Sequence, residues 1–439
     1  MVKKTFLLML VALFLVSLTA VVGAAEFDWK RFEGETIKLL LNKHPYTDGV
    51  LKELDKFEKM TGINVEYDIL PEEQYFNKVT VTLSSGSSEY DIFMTGAYQV
   101  WQYAPPGWME PLDKYIEDNS LTSPDWDKND FIPGIINSLK WNLQPGSELG
   151  TGKQWALPLG WEENCLVYRK DIFEKYNLKV PETLDEVIEV GKIIEEKTDL
   201  TGIVVRGTRS WATIHPGFYS GLVASGGFDY DGNLKPQMNS EVALEFTKKW
   251  VEMIKEVGPE QWTTYTWYDV SNALGSGKAA MMYDADTLGF WADHADERLA
   301  WAPGPGLNKK ADKTNVWIWS LAMSAHSNSK EPAWYFLQWV TGKEFLTTAA
   351  VKHDGLNPVR KSIWENPDFK ERLAKFDGYY KTYKKIDEAA VQFTPQPMFF
   401  QTTTEWAAAL QKIVNGEDAE EVLNKLVEDL DKKMESIRR

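Results

Sequence analysis

A single cysteine, Cys165, stands in a chain of 439 residues. One thiol cannot close an internal disulfide or build a thiolate cluster, so the fold has to rest on a packed core. Cys165 lies in the apolar run CLVY and reads as a small buried hydrophobe, not as a nucleophile. The five histidines are far apart and show no ligand-like spacing, so neither a metal nor a cofactor is expected. Positive charge is scarce: 48 Lys and Arg face 65 Asp and Glu, for a net charge of −17. Nucleic acid and anionic membranes would repel such a surface, which argues against both as partners. The stretch GSGKAAMMYD, Gly275 to Asp284, is not a phosphate loop, because Asn272 stands where that loop needs Gly and Ala279 where it needs Ser or Thr. No G-x-S-x-G element supports a serine hydrolase. There is no internal repeat and no low-complexity linker.

Long apolar runs are also missing after the first one, Phe6 to Leu18. That run follows two lysines and precedes Gly23, Ala24 and Ala25, the layout of a secretory signal, so residues 1–25 are expected to be cleaved. No cysteine follows the run where a lipoprotein would carry one, and a free periplasmic protein is expected. The remaining roughly 415 residues exceed what one core usually holds, so two domains are expected. The chain is rich in 19 Trp and 18 Tyr, a surplus that suggests faces able to stack on a flat ligand.

The opening of the mature chain alternates strand and helix. ETIKLLLN, Glu35 to Asn42, reads as a buried strand, VLKELDKFEKMTG as a helix with Val50, Leu51, Leu54 and Phe57 on one face, and INVEYDIL as a second strand. A helix over EEQYFNKVTVTLSSG leads to a third strand, YDIFMTGA. This order predicts an α/β fold with a mostly parallel sheet flanked by helices. Ligands of such sheets bind beyond the carboxyl ends of the strands, which singles out the loops NKHPYTDG and TGAYQVWQY with Tyr46, Tyr98 and Trp101. Further on, Thr183 and Glu186 have capping-box spacing ahead of a helix, IVVRG reads as a strand, and WIWSLAMSAHS as another. The segment KEPAWYFLQWVTGKEFLTTAAV reads as helical, with Trp334 and Trp339 spaced as core, and two amphipathic helices follow Trp406.

Four carboxylates, Glu162, Glu163, Asp284 and Asp286, could serve an exported carbohydrate-active hydrolase, which needs two acids across a sugar. Neighbours in a strand point to opposite faces, so Glu162 and Glu163 cannot both reach one ligand, whereas Asp284 and Asp286 can share a face. The same acids suit a receptor, accepting hydrogen bonds from hydroxyls while aromatic rings pack on C–H faces. They argue against an anionic ligand and would also tolerate a cationic solute. His44 and His215 could be ligand donors, although a loop histidine is more often only solvated, and Glu163 reads as a surface or hinge residue.

The segment ALPLGWEENCLVYRKDIFEKYNLKVPETLDEVIEVGKII resembles the bacterial family 1 extracellular solute-binding proteins of the maltose-binding type. It keeps Tyr168, Lys170, Asp171, Phe173, Pro181, Thr183, Asp185 and Glu186, with Leu184 in the usual Trp place. SGKAAMMYDA resembles that family's Gly-Lys-Ala-Ala-Met element. WIWSLAMSAHSNSKEPAWYFLQWVT, followed by GLNPVRKSIW, is similar to the sorbitol/mannitol-like branch. The resemblance implies a two-lobed periplasmic-binding-protein fold of type II with three hinge crossings, near Leu159 to Glu162, Asn315 to Trp319 and Asn357 to Arg360. It puts residues 26–160 and 316–358 in one lobe and 161–315 and 359–439 in the other. It implies a monomeric, non-enzymatic receptor of an ABC importer that closes on a sugar or sugar alcohol and is read by the permease's transmembrane subunits. Carried over by position, Glu162 falls where family members contact sugar, Thr95 to Tyr98 fall in a first-lobe contact loop, and Asp284 to Thr287 follow the Gly-Lys-Ala-Ala-Met element. Thr287 stands near the family's stacking Trp, so that role passes to Trp211, Trp317 or Trp319. Trp161 either touches ligand or packs at a lobe junction. The binding residues expected are therefore Glu162, Trp161, Tyr46, Thr95, Tyr98, Trp211, Asp284, Asp286, Trp317 and Trp319.

Overall fold

A computed structural model describes residues 26–292, 294–353, 357–379 and 390–438. The secretory signal expected over residues 1–25 lies outside the described residues. Eleven strands are described: β1 (Thr36–Asn42), β2 (Asn64–Leu70), β3 (Ile92–Thr95), β4 (Lys140–Trp141), β5 (Lys153–Gln154), β6 (Leu157–Arg169), β7 (Thr201–Val204), β8 (Ala279–Ala285), β9 (Leu299–Ala302), β10 (Thr314–Met323) and β11 (Ala390–Val391). The opening βαβαβ unit is present, with helices Pro45–Thr61 and Glu72–Ser84 between its strands. Val50, Leu54 and Phe57 of the first helix are buried, as its period demands.

One hydrogen-bonded path runs β2-β1-β3-β10-β6-β8-β7, with β9 on β6 and β11 on β10, while β4 and β5 form a separate ribbon. Parallel pairing holds for β1 with β2 and β3, and for β7 with β8. The two longest strands enter antiparallel: β10 against β3 and β6, and β6 against β8 and β9. This departs from a mostly parallel sheet in each lobe, and the reason is geometric. A strand that leaves one lobe for the other traverses its sheet without a local helical crossover, so nothing forces it to run with its neighbours.

β6 is the clearest case. From Leu157 to Glu163 it pairs with β10, and from Asn164 onward with β8 and β9. The first lobe is thus β2-β1-β3-β10-β6 and the second β7-β8-β6-β9, with β6 belonging to both. Glu163, expected at a surface or hinge, is buried at the partner change. Its backbone N–H donates to Asp286 Oδ1 at 3.2 Å, and Asn357 Nδ2 donates to Asp286 Oδ2 at 2.7 Å. Asp286 therefore ties β6 to the strap that starts at Asn357. That strap runs through helices Lys361–Trp364 and Pro367–Leu373, where Arg372 donates to Ala350 O at 2.7 Å and lies 5.2 Å from the centre of the Phe290 ring. It reaches β9 at residues 376–379, where Asp377 bridges to Ala300 and the rings of Phe376 and Tyr379 lie 5.8 and 5.4 Å from that of Trp301.

Local signals hold elsewhere. Thr183 Oγ1 accepts from Glu186 N at 3.2 Å while the Glu186 carboxylate accepts from Thr183 N at 3.2 Å, a closed capping box on helix Leu184–Lys197. The segment after Ser329 is two helices, Lys330–Val340 and Lys343–Lys352, broken at Thr341 and Gly342. Trp334 is buried, and Trp339 packs against the same core. Among the described residues no helix is long and apolar enough to cross a membrane.

Candidate functional site

Alternation along the two shared strands builds the first wall of a cavity. On β10, Trp317 and Trp319 are two residues apart and share a face. Trp317 lies opposite Glu162 on β6, and Trp319 opposite Gly160. Glycine is required at 160, because a Cβ there would sit 2.3 Å from Cζ of Tyr46. Through that gap the Tyr46 ring reaches the strand, its hydroxyl donating to Trp161 O at 3.3 Å, and it stacks on His44 at 5.1 Å. Trp319 Nε1 donates to Glu162 Oε1 at 3.1 Å, and His44 Nε2 stands 3.6 Å from the same oxygen. Glu162 is thus a buried acceptor held between an indole and an imidazole.

The second lobe supplies the facing wall from the carboxyl end of β7. Trp211 stacks on Trp317 at 5.2 Å and on His215 at 5.4 Å. Arg206 donates from Nε to Asp284 Oδ2 at 2.9 Å and from Nη2 to Asp284 Oδ1 at 2.7 Å, a bidentate pair. Burial works against the charge on Arg206, but Asp284, with Glu72 and Glu162 further off, holds its pKa above the ordinary guanidinium value. Burial and the neighbouring Arg206 charge together push His215 well below the usual imidazole range, so it is neutral. Arg206 Nη1 lies 3.5 Å from His215 Nε2, which makes that nitrogen the acceptor and leaves the proton on Nδ1.

A pH effect follows from His215. The unfolded chain takes up a proton on this ring below about pH 6.5 while the folded chain does not, so the unfolded state binds more protons in that range. Stability from this group is therefore present above the unfolded pKa and is lost on acidification, by up to about 1.4 kcal/mol per pH unit. His215→Gln should flatten the slope. Denaturant titrations of both proteins between about pH 5 and 6.5 check it, and equal slopes would remove His215 as the cause.

The cavity is lined by His44, Glu72 and Glu162, by Trp317 and Trp319, and by Arg206, Trp211, His215, Trp267, Leu288 and Trp291. The space open to water centres is about 30 Å³. One water needs about 10–15 Å³ on that measure, so the space suits a few waters or one small solute. His215 Nδ1, Trp291 Nε1 and Trp317 Nε1 are buried and have no hydrogen-bond partner among the described residues. These donors, with the Glu162 acceptor and the indole faces, suit a compact molecule bearing hydroxyls on a hydrocarbon chain.

Of the ten residues expected at the site, Glu162, Trp211, Trp317 and Trp319 line the cavity, and Tyr46 supports His44 from behind. Trp161 does not line it. One residue before Glu162 on a strand, it points to the opposite face and packs near Trp364 at 6.1 Å. Thr95 and Tyr98 are buried beneath Trp317: Asn315 Nδ2 donates to Tyr98 Oη at 2.8 Å, and a Cβ on Gly96 would lie 2.6 Å from Cη2 of Trp317. Asp284 acts through Arg206. Asp286 shares no face with it, because β8 ends at Ala285 and Asp286 opens helix Asp286–Phe290, where period two no longer applies. Burial, then the Glu163 charge, pushes the Asp286 carboxyl well above its usual range.

His44 and His215, read as either ligand donors or solvated loop residues, are buried in the wall. Glu72, Arg206, Trp267, Leu288 and Trp291 were not expected there at all. Arg206 had a usable signal, since it directly follows a strand whose carboxyl end faces the cleft. Trp291 and Glu72 had none, because their place depends on packing between distant segments.

Comparison with known proteins adds independent information. The family model for bacterial extracellular solute-binding proteins matches residues 43–345. An erythritol/L-threitol-binding protein of Mycolicibacterium smegmatis is 41% identical over 419 residues, covering 92% of this chain and 88% of that protein. A mannitol-binding protein of Pseudomonas aeruginosa is 23% identical, covering 78% of this chain and 79% of its own. The crystal structure of an ABC transporter solute-binding protein from Agrobacterium radiobacter in complex with ribitol superposes with a TM-score of 0.79 at 21% identity, covering 91% of this chain and 99% of that one. At that identity the superposition speaks for the fold alone.

Proposed function

The chain belongs to the bacterial extracellular solute-binding protein family, and we propose that it captures a short sugar alcohol, of about four carbons, for an ABC importer. The family is one of binding proteins, not enzymes, and the hydrolase reading of the paired carboxylates falls with it. Supporting the ligand class is one observation: a small aromatic cavity whose lining residues carry buried, unpartnered donors and the buried acceptor Glu162. A tetritol presents a hydroxyl on every carbon and C–H edges to the indoles, and the relative with 41% identity is named for such ligands.

In this reading the lobes close around the polyol by hinge motion, since a ligand touching both walls stabilises only the closed state. β6 and β10 are the proposed first two passages. The third is proposed on the strap from Asn357, which bonds to Asp286 at its start and reaches β9 at residues 376–379. The closed shape would be read by permease transmembrane subunits, with the protein acting as a periplasmic monomer.

A thermal-shift and calorimetric series on the mature protein tests the ligand class. Erythritol or L-threitol at a hundred times its Kd should add about 2.7 kcal/mol to native stability, with one site per chain and no product formed. Ribitol and mannitol should bind more weakly, and maltose should leave the melting temperature unchanged. A preference for maltose over every tetritol would overturn the proposal.

A further inference from the structure

The charge on Arg206 is the feature of the wall that a neutral ligand does not explain. A guanidinium lining a small buried cavity is ordinarily a receptor for carboxylate or phosphate. Here its fork is already occupied. Nε and Nη2 are bound by the two oxygens of Asp284, and Nη1 donates to Ala212 O at 3.3 Å and faces His215 Nε2 at 3.5 Å. Four of the five guanidinium N–H groups thus point at protein partners. Asp284 is itself fully buried and is further fixed by the Ala285 N–H at 2.7 Å. The other ionisable groups on the wall include Glu162 and Glu72, which set three carboxyl groups against one guanidinium.

Resting on the polyol reading above, we infer that Asp284 is a specificity-determining positioning residue: by occupying Arg206 it makes the cavity accept an uncharged polyol and reject the aldonate of the same length. Such a device has a use, because a polyol and its aldonate differ by a single terminal group and have nearly the same shape. Indole stacking cannot separate them, since both offer the same C–H edges. Only the electrostatics of the wall can, and an anion entering this site would meet a neutralised cation and two further carboxyl groups. The one guanidinium N–H left over can donate to a hydroxyl without demanding a charge in return.

The test compares erythritol with erythronate, its four-carbon aldonate, by calorimetry on the wild type and on Asp284→Asn. The substitution keeps the side chain's shape and an acceptor oxygen but releases the Arg206 charge. The wild type should prefer erythritol by at least about 100-fold, the scale of discrimination that an uncompensated buried charge produces. Asp284→Asn should lower that preference at least tenfold, and erythronate should raise the variant's melting temperature more than it raises that of the wild type. A structural role alone would weaken both ligands together and leave their ratio unchanged, which would overturn the inference. So would a wild type that binds the two within about tenfold of each other. Should Asp284→Asn not fold, the double substitution Arg206→Gln with Asp284→Asn removes both charges. It is expected to keep rejecting erythronate, and its acceptance would count against the inference. If the wild type binds no tetritol but another neutral solute, the ligand class fails, while the Asp284 arm is read on that solute and its carboxylate analogue.

Discussion

Arg360→Leu is expected to destabilise the folded chain by about 3–5 kcal/mol, the range found when one partner of a buried charged network is removed. Arg360 is fully buried, yet its guanidinium donates to three backbone carbonyls: Thr341 O at 2.7 Å, Asp127 O at 2.9 Å and Trp126 O at 2.7 Å. Its charge also lies 4.1 Å from the centre of the Phe131 ring and 3.7 Å from Asp130 Oδ2. Burial pushes its pKa down to about 10, so the group is held as a cation by the cage that surrounds it. The three carbonyls come from the break between helices Lys330–Val340 and Lys343–Lys352 and from the turn after Trp126, where Asp127 O also accepts from Asp130 N at 3.3 Å. Leucine would fill the volume and leave all three without the guanidinium. Lysine would restore the charge but not the planar fork, so Arg360→Lys should recover less than half of the loss. Denaturant unfolding monitored by tryptophan fluorescence measures both. A loss below about 1 kcal/mol for the leucine variant would mean that water or backbone shifts satisfy the carbonyls.

The third strap shows why some of the fold was legible and some was not. Strand and helix order in the opening unit follows from local periodicity, and periodicity survives folding because each element buries one face. The capping box of Thr183 is equally local. Strand direction in β6 and β10 is not local, since it depends on how the chain passes between lobes. At the site, alternation within WIWS puts Trp317 and Trp319 on one face, and alternation within GWEE separates Trp161 from Glu162, although both were expected at the ligand. The same rule misled at Asp284 and Asp286, where the strand ends between them. Arg206, Trp267 and Trp291 arrive from the far lobe, and no spacing in the chain records that approach. Even so, the family resemblance carried by GWEENCLVYRKDIF and WIWSLAMSAHS agrees with the family match over residues 43–345.

Glu162→Gln is expected to weaken polyol binding by roughly tenfold to a hundredfold, the 1.5–3 kcal/mol that a hydrogen bond to a charged group is worth. The side chain is the buried one of the wall's two carboxyl groups, Glu72 being the other, with Trp319 Nε1 at 3.1 Å and His44 Nε2 at 3.6 Å fixing it from two sides. A carboxylate can keep the Trp319 bond on Oε1 and still present lone pairs on both oxygens to a hydroxyl. The amide loses this freedom. If its oxygen faces Trp319, an NH₂ group faces the ligand, and hydroxyls then meet donors on every side. The folded chain without ligand should tolerate the change, because the shape and the Trp319 bond both survive. Its melting temperature should stay within about 1 °C of the parent, the shift that a loss of about 1 kcal/mol would cause in a chain this long. Calorimetry with erythritol or L-threitol then separates two roles. A weaker Kd with an unchanged melting temperature identifies Glu162 as the ligand's acceptor. Unchanged affinity with a lowered melting temperature would make it a strut that positions His44 and Trp319, and the hydroxyl acceptor would have to be sought at Glu72.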